Sequence, residues 1–156
     1  MINLKELRIG NYALFSCGHE FIIRKVMGIV PYDSSFVIRG EKYVGDKCLC
    51  TYDLYDRINP IPLTEDILLK CGFEKGINDD YDIIYDFDKS GVYYCDQITI
   101  TYNTFDCCIY ILQQFSDEND EVHCNNSAKI ARDIKYLHDL QNLFYDLTKT
   151  ELNIQL

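Results

Sequence analysis

The chain offers little on which a membrane anchor or a local enzyme motif could be built. Its longest uninterrupted apolar run, "CCIYIL", is far shorter than the roughly 20 residues a spanning helix needs. The opening "MINLKELRIG" carries Lys5, Glu6 and Arg8 where a secretory leader would be apolar, so a cytoplasmic protein with no membrane partner is expected. Nucleophile elbow, phosphate-binding glycine loop and dinucleotide fingerprint are all missing. With three histidines, places for a nucleophile and its base are few: Cys17 beside His19 in a turn, and His123 in an acidic loop. No catalytic residue is assigned.

Paired metal ligands also lack the two-residue gap that lets a backbone turn aim both side chains at one tetrahedral centre. The pairs present are Cys17 with His19, Cys48 with Cys50, and His123 with Cys124. A C-x-C in a strand places both sulfurs on one face, which suits a metal but is ordinary in a core. No metal and no cofactor is therefore expected. Most of the eight cysteines read as free thiols of a reducing compartment, with several, including Cys48, Cys50, Cys95 and Cys108, as small buried hydrophobes in strands. "DFDKSG" at 86–91 begins like a calcium loop, but its twelfth position is Gln97 and its flanks read as strands, so a hairpin turn is expected.

Basic charge is scarce and unevenly placed. Residues 1–62 hold 8 Lys/Arg against 7 Asp/Glu, and residues 63–156 hold 7 against 18. A nucleic-acid partner is thus a poor fit to the carboxyl part, which lacks a basic face.

What the chain does have is tyrosine and strand-forming character. It contains 13 tyrosines, and 47% of its residues are hydrophobic, enough at this length for a real core. "LRIGNYALF", "EFIIRKVMGIV", "SFVIRG" and "KCLCTYDLY" are β-type runs separated by turn residues. With Gly10 and Gly28 at points of bending, five short strands in a small SH3-like or OB-like barrel are expected over 1–60. Pro60 and Pro62 then stop pairing, which puts a boundary near residue 60. An α+β part follows over 61–156, packed with the barrel as one unit. It begins with a helix at 64–71, capped by Thr64, led by Glu65 and Asp66, stopped by Gly72, and docked through Ile67, Leu68 and Cys71. An antiparallel sheet over about 81–115 comes next, then one long amphipathic helix over about 127–148 starting at Ser127, with "ELNIQL" as a closing strand. The fold class is α+β, mostly β.

"YLHDLQNLFYDLT" at 136–148 raises the sharpest question. At about 100° per residue, Ile130, Ile134, Leu137, Leu140, Phe144 and Leu147 share a face, and Gln141 falls inside it. His138 and Tyr145 flank it, so His138, Gln141 and Tyr145 form a polar strip beside a buried surface. A buried amide needs partners. Either Gln141 bonds a backbone edge of the β framework and locks the helix in register, or the strip, with the neighbouring Asn142, binds a ligand or partner.

The same stretch, as "YLHDLQNLFYDLTKTEL", together with "LRIGNY" and "INPIPLTEDILLKCGF", resembles a family of short uncharacterised proteins encoded by gut Bacteroidota, their phages and mobile elements. That family's blocks run like "ELRIGN", "PIPLTEEWLLKFGF" and "YVHQLQNLYFALTGEEL". His138, Leu140, Gln141, Asn142, Leu143, Leu147 and Thr148 match. Lys149 stands where the pattern has glycine, which weakens a left-handed helix stop there. The resemblance implies no activity. It implies a phage or mobile-element origin, a bacterial host cytosol, and an accessory or anti-defence role.

Three functions follow as expectations. The first is a non-catalytic protein that recognises a host or phage protein. The second is a sponge for a nucleotide signal in a tyrosine-lined pocket, with Arg24, Lys25 or Arg39 as its cations. The third is a small hydrolase with scattered catalytic residues.

Overall fold

The computed structural model describes residues 2–17, 19–44, 47–76, 80–86, 97–116, 122–124, 128–131 and 133–155. It is α+β and mostly β, with two antiparallel sheets. Contacts divide the chain into two units, one of Met1–Thr64 with Lys135–Leu156 and the other of Glu65–Ile134.

In the first unit, β1 (Tyr12–Cys17), β2 (Glu20–Tyr32), β3 (Ser35–Val44) and β4 (Lys47–Leu54) pair in chain order as an antiparallel meander. There are four strands rather than five, and among the described residues they do not close into a barrel. Strand β3 is long, and its residues pair with β4 up to Val44 opposite Lys47. Gly28 sits where the β2–β3 register shifts past Val26, a bulge. Gly10 has a φ of +100°, which side chains disfavour. One face of the meander holds the core: Ala13, Phe15, Val26 and Ile38, with Ile2, Leu7 and Ile58.

Pro60 and Pro62 do not mark the boundary. Ile61–Leu63 pair instead with the returning chain: the Leu63 N–H donates to the Lys135 carbonyl at 2.9 Å and the Leu137 N–H to the Ile61 carbonyl at 2.9 Å. Proline lacks its own N–H, but the residues on either side keep theirs. The second unit is thus an insertion into the first, leaving after Thr64 and returning at Lys135.

That second unit opens with α1 (Glu65–Lys70), which ends at Gly72 with a φ of +87°. Ile67, Leu68 and Cys71 are buried as the pattern required. A sheet follows from β5 (Glu74–Lys75), β6 (Asp80–Asp86), β7 (Gln97–Asn103), β8 (Cys108–Ser116), β9 (Val122–Cys124) and β10 (Ala128–Ala131), ordered β10-β8-β7-β6-β5 with β9 also on β8.

The last helix, α2 (Leu137–Thr148), begins ten residues later than expected, since 127 and 137 differ by 10. Ala128–Ala131 pair with Ile109–Ile111 of β8, so Ile130 belongs to a strand and not to the helical face. An apolar residue every fourth position is compatible with either state, and sheet pairing decided. The end "ELNIQL" is not a strand over its described residues, although Leu152 is buried.

Helix α2 stops in the left-handed conformation despite the lysine. Lys149 has a φ of +58°, and its N–H donates to the Tyr145 carbonyl at 2.7 Å. A side chain in that region costs about 1 kcal/mol relative to glycine. Lys149→Gly should therefore raise the unfolding free energy by about 0.5–1 kcal/mol, read from the denaturant midpoint at unchanged m-value.

Candidate functional site

The polar strip of α2 is bonded to the start of the chain. Gln141, 1% exposed, accepts the Tyr12 N–H on Oε1 at 2.9 Å and donates from Nε2 to the Gly10 carbonyl at 3.3 Å. Tyr12 opens β1, an edge strand of the meander, whose free backbone groups are available to a side-chain amide. Asn142 Oδ1 accepts from Arg8 Nε at 3.1 Å and Asn11 Nδ2 at 3.0 Å, and Asn142 Nδ2 donates to the Glu6 carbonyl at 2.6 Å. Arg8 holds both carboxylate oxygens of Glu151, at 2.6 and 3.1 Å, and lies 4.4 Å from the centroid of the Tyr145 ring. Gln141 and Asn142 thus fasten the helix to the start of the chain, and their amide groups are engaged by the fold, while Tyr145 contributes its ring face to Arg8.

His138 is buried beside them. Its Nε2 lies 3.2 Å from Asp139 Oδ1, its ring stacks on Tyr136 at 5.8 Å, and its Nδ1 has no hydrogen-bond partner. Burial pushes the imidazole below its ordinary value, outweighing the opposite pull of Asp139 and Glu6. Between that depressed value and about 6.5 the unfolded chain binds more protons than the folded one, so stability falls as pH drops through the window. Burial raises the Asp139 carboxyl, which acts in the opposite sense lower on the scale, where the folded chain holds that proton more tightly. The unfolding midpoint should therefore be lower at pH 5.5 than at pH 7.5, and His138→Gln should flatten that slope.

The three cationic candidates do not converge. Neighbours along a strand point to opposite faces, so Arg24 and Lys25 diverge. Arg24 is buried on the core side, and its Nε has no partner. Lys25 pairs across with Glu41, and Arg39 lies two residues from Glu41 on the same outer face.

That outer face of the meander holds the densest chemistry among the described residues. Register places Val30, Val37 and Leu54 in one row, Gly28, Arg39 and Tyr52 in the next, and Lys25, Glu41 and Cys50 in a third. Tyr52 is 64% exposed and Val30 and Tyr32 are 56% exposed, whereas Val37 and Leu54 are half-buried beside them. Arg39 donates to Glu41, and its guanidinium lies 3.8 Å from Cys50 Sγ. Cys48 and Cys50 bring their sulfurs to 3.8 Å of each other, with Cys50 Sγ 3.8 Å from Glu41 Oε1. Desolvation, followed by the adjoining Cys50 thiol and Glu41 carboxylate, raises the Cys48 thiol above its ordinary value. Both cysteines are exposed, which corrects their expected role as buried hydrophobes. Cys71 and Cys108 do fill that role, and burial pushes the Cys71 thiol up to about 12.

Among the described residues, two groups of donors could hold a cation: Glu41, Cys48 and Cys50, and Glu6, His138 and Asp139, each with donor atoms within 4.8 Å of one another. His19 is exposed, while the side chains of Cys17, His123 and Cys124 lie outside the described residues. So does most of "DFDKSG"; its flanks are the paired strands β6 and β7, with Asp86 opposite Gln97, where an EF-hand would have helices. A cleft of ≈ 400 Å³ in the second unit runs between Gly72 and Gly76 past Glu74, Lys75, Asp82 and Thr99. It carries two carboxylates to one lysine and no tyrosine, unlike the pocket expected for a nucleotide. Among the described residues, no helix is long and apolar enough to cross a membrane.

Sequence alone had no means of choosing the outer face of the meander. The one available signal was the C-x-C spacing, which fixes that two sulfurs share a face without saying which face meets solvent. No protein-family model matches the chain, and neither a curated protein nor a solved structure does.

Proposed function

We propose that this protein is a non-catalytic interaction protein that recognises another polypeptide through the outer face of its meander. The carrying observation is the cluster of exposed Val30, Tyr32 and Tyr52 around Arg39 on paired strands. Tyrosine and arginine are enriched at interface hot spots because they combine large apolar contact area with a polar end. Strands joined by a backbone ladder hold such a surface with little entropy left to lose on binding. We read the meander as an incomplete barrel of SH3 or OB type. In support, the Ser16 N–H on β1 donates to Asp53 on β4 at 3.2 Å, which brings the two edge strands near each other.

The partner is a host protein and the chain an accessory of a phage or mobile element, with an anti-defence role. Those two points rest on the family resemblance of the three sequence blocks. A nucleotide sponge and a small hydrolase are the alternatives, and no grouping among the described residues favours either.

Native mass spectrometry of the protein purified from its own host tests the reading. The expected result is a co-purified polypeptide whose occupancy drops at least tenfold in Tyr52→Ala, with an unchanged unfolding midpoint, since an exposed side chain contributes little to stability. A retained nucleotide with no polypeptide, or a polypeptide held equally by Tyr52→Ala and Val30→Ser, overturns it.

A further inference from the structure

We propose that Cys48, Cys50 and Glu41 form a binding site for a thiophilic divalent cation of the zinc class, with its fourth coordination position open to solvent. Register sets the three side chains on one face: Cys50 stands directly opposite Glu41, and Cys48 is opposite Tyr43, one pleat further along β4.

The spacing matches the bite of a tetrahedral ion. Zinc–sulfur bonds of about 2.3 Å at a tetrahedral angle put two sulfurs about 3.8 Å apart, and a sulfur and a carboxylate oxygen about 3.6 Å apart. The observed separations are 3.8 Å between Cys48 and Cys50 Sγ and 3.8 Å between Cys50 Sγ and Glu41 Oε1. A disulfide asks for something different. Its sulfurs must close to about 2.05 Å, while residues two apart in a strand have Cα atoms about 6.7 Å apart, at the upper limit of disulfide geometry.

Donor type sets the class of ion. Two thiolates and one carboxylate suit a borderline-soft cation and are a poor shell for magnesium or calcium, which take oxygen. Each thiol gives its proton to solvent as its sulfur–metal bond forms, with no change of oxidation state. Two thiolates and one carboxylate then carry three negative charges against two on the ion. Arg39, already bonded to Glu41 and 3.8 Å from Cys50 Sγ, offsets the remaining one. Glu41 is only 7% exposed, and its bond to Arg39 holds the carboxylate in place beside the sulfurs, as partners behind a metal ligand commonly do. Two thiols side by side and open to solvent are otherwise a liability through oxidation, and a bound ion removes it.

Cobalt(II) is the probe for the full-length protein, purified reduced and metal-free. The expected result is one cobalt per chain, with a sulfur-to-cobalt charge-transfer band and intense tetrahedral d–d bands. Zinc displaces it, and magnesium and calcium do not. Cys48→Ser/Cys50→Ser should lose both bands while retaining the metal-free unfolding midpoint, because both side chains are exposed. Glu41→Gln should keep the charge-transfer band and weaken binding at least tenfold. The other cysteines supply the overturning result: bands of equal strength in the double variant place the ion elsewhere, and no thiolate band in the parent chain ends the proposal. On the parent chain, zinc should also slow alkylation of Cys48 and Cys50 at least tenfold relative to half-buried Cys107, mapped by mass spectrometry. This readout needs no folded variant, and equal slowing, or none, overturns the proposal.

Discussion

Gln141→Leu is expected to lower the unfolding free energy by about 2–4 kcal/mol, because each buried polar group left without a partner costs about 1–3 kcal/mol. Two such groups are left behind, the Tyr12 N–H and the Gly10 carbonyl. Leucine fills similar volume and adds apolar area, so packing does not explain away the loss. The denaturant midpoint should move with the m-value unchanged, as for a lost native interaction that leaves the unfolded chain alone. Asn142→Leu should do the same more weakly, since that side chain is half-buried and water can replace part of what it loses. A Gln141→Leu protein of unchanged midpoint that no longer binds its partner would make Gln141 a recognition residue instead of a fastening.

Gly40→Ala is expected to cost about 3 kcal/mol, the upper end of the range for overpacking a core. A methyl group there would lie 2.6 Å from Phe15 Cζ and 2.8 Å from both Phe15 Cε1 and Arg24 Cβ. None of these can yield easily. Phe15 is fully buried, and the Arg24 Cβ is attached directly to the backbone of β2. Gly40 is thus needed for room, not for a left-handed backbone. Phe15→Leu removes two of the three atoms in conflict, the Phe15 Cζ and Cε1, and leaves Arg24 Cβ, so in the double variant the two costs should fall short of their sum by at least 1 kcal/mol, measured by a double-mutant cycle from denaturant unfolding. Additive costs would mean that the clash is relieved elsewhere.

Much of the framework was legible in the chain. The β-type runs around residues 12–17, 20–32, 81–86, 97–103 and 108–116 became strands, because β-branched and aromatic residues between turn formers suit an extended, half-buried backbone. Helix α1 was marked by its acidic first turn and by Gly72. Helix α2 was misplaced at its start: Ile130 and Ile134 fit a helical face, and only pairing with β8 shows that Ala128–Ala131 are extended. Barrel closure was not legible for a similar reason: among the described residues the first and last strands of the meander do not pair, and strand count and turn spacing say nothing of whether they find each other.

The candidate site divides along the same line. Helical periodicity was enough to single out Gln141 as a polar group on an apolar face, because position around a helix is a local property. Its partners, 129 and 131 residues away, are not. In the same way, alternation along β4 puts Cys48 and Cys50 on one side of a strand, and any strand would do so. Whether that side faces core or water depends on what covers it. Here the packing of Phe15, Val26 and Ile38 on the other face leaves the two thiols outward beside Glu41. Local chemistry sets periodicity, caps and turns, whereas the pairing of distant strands sets which of two equivalent faces is buried, since burial is a property of the assembled chain.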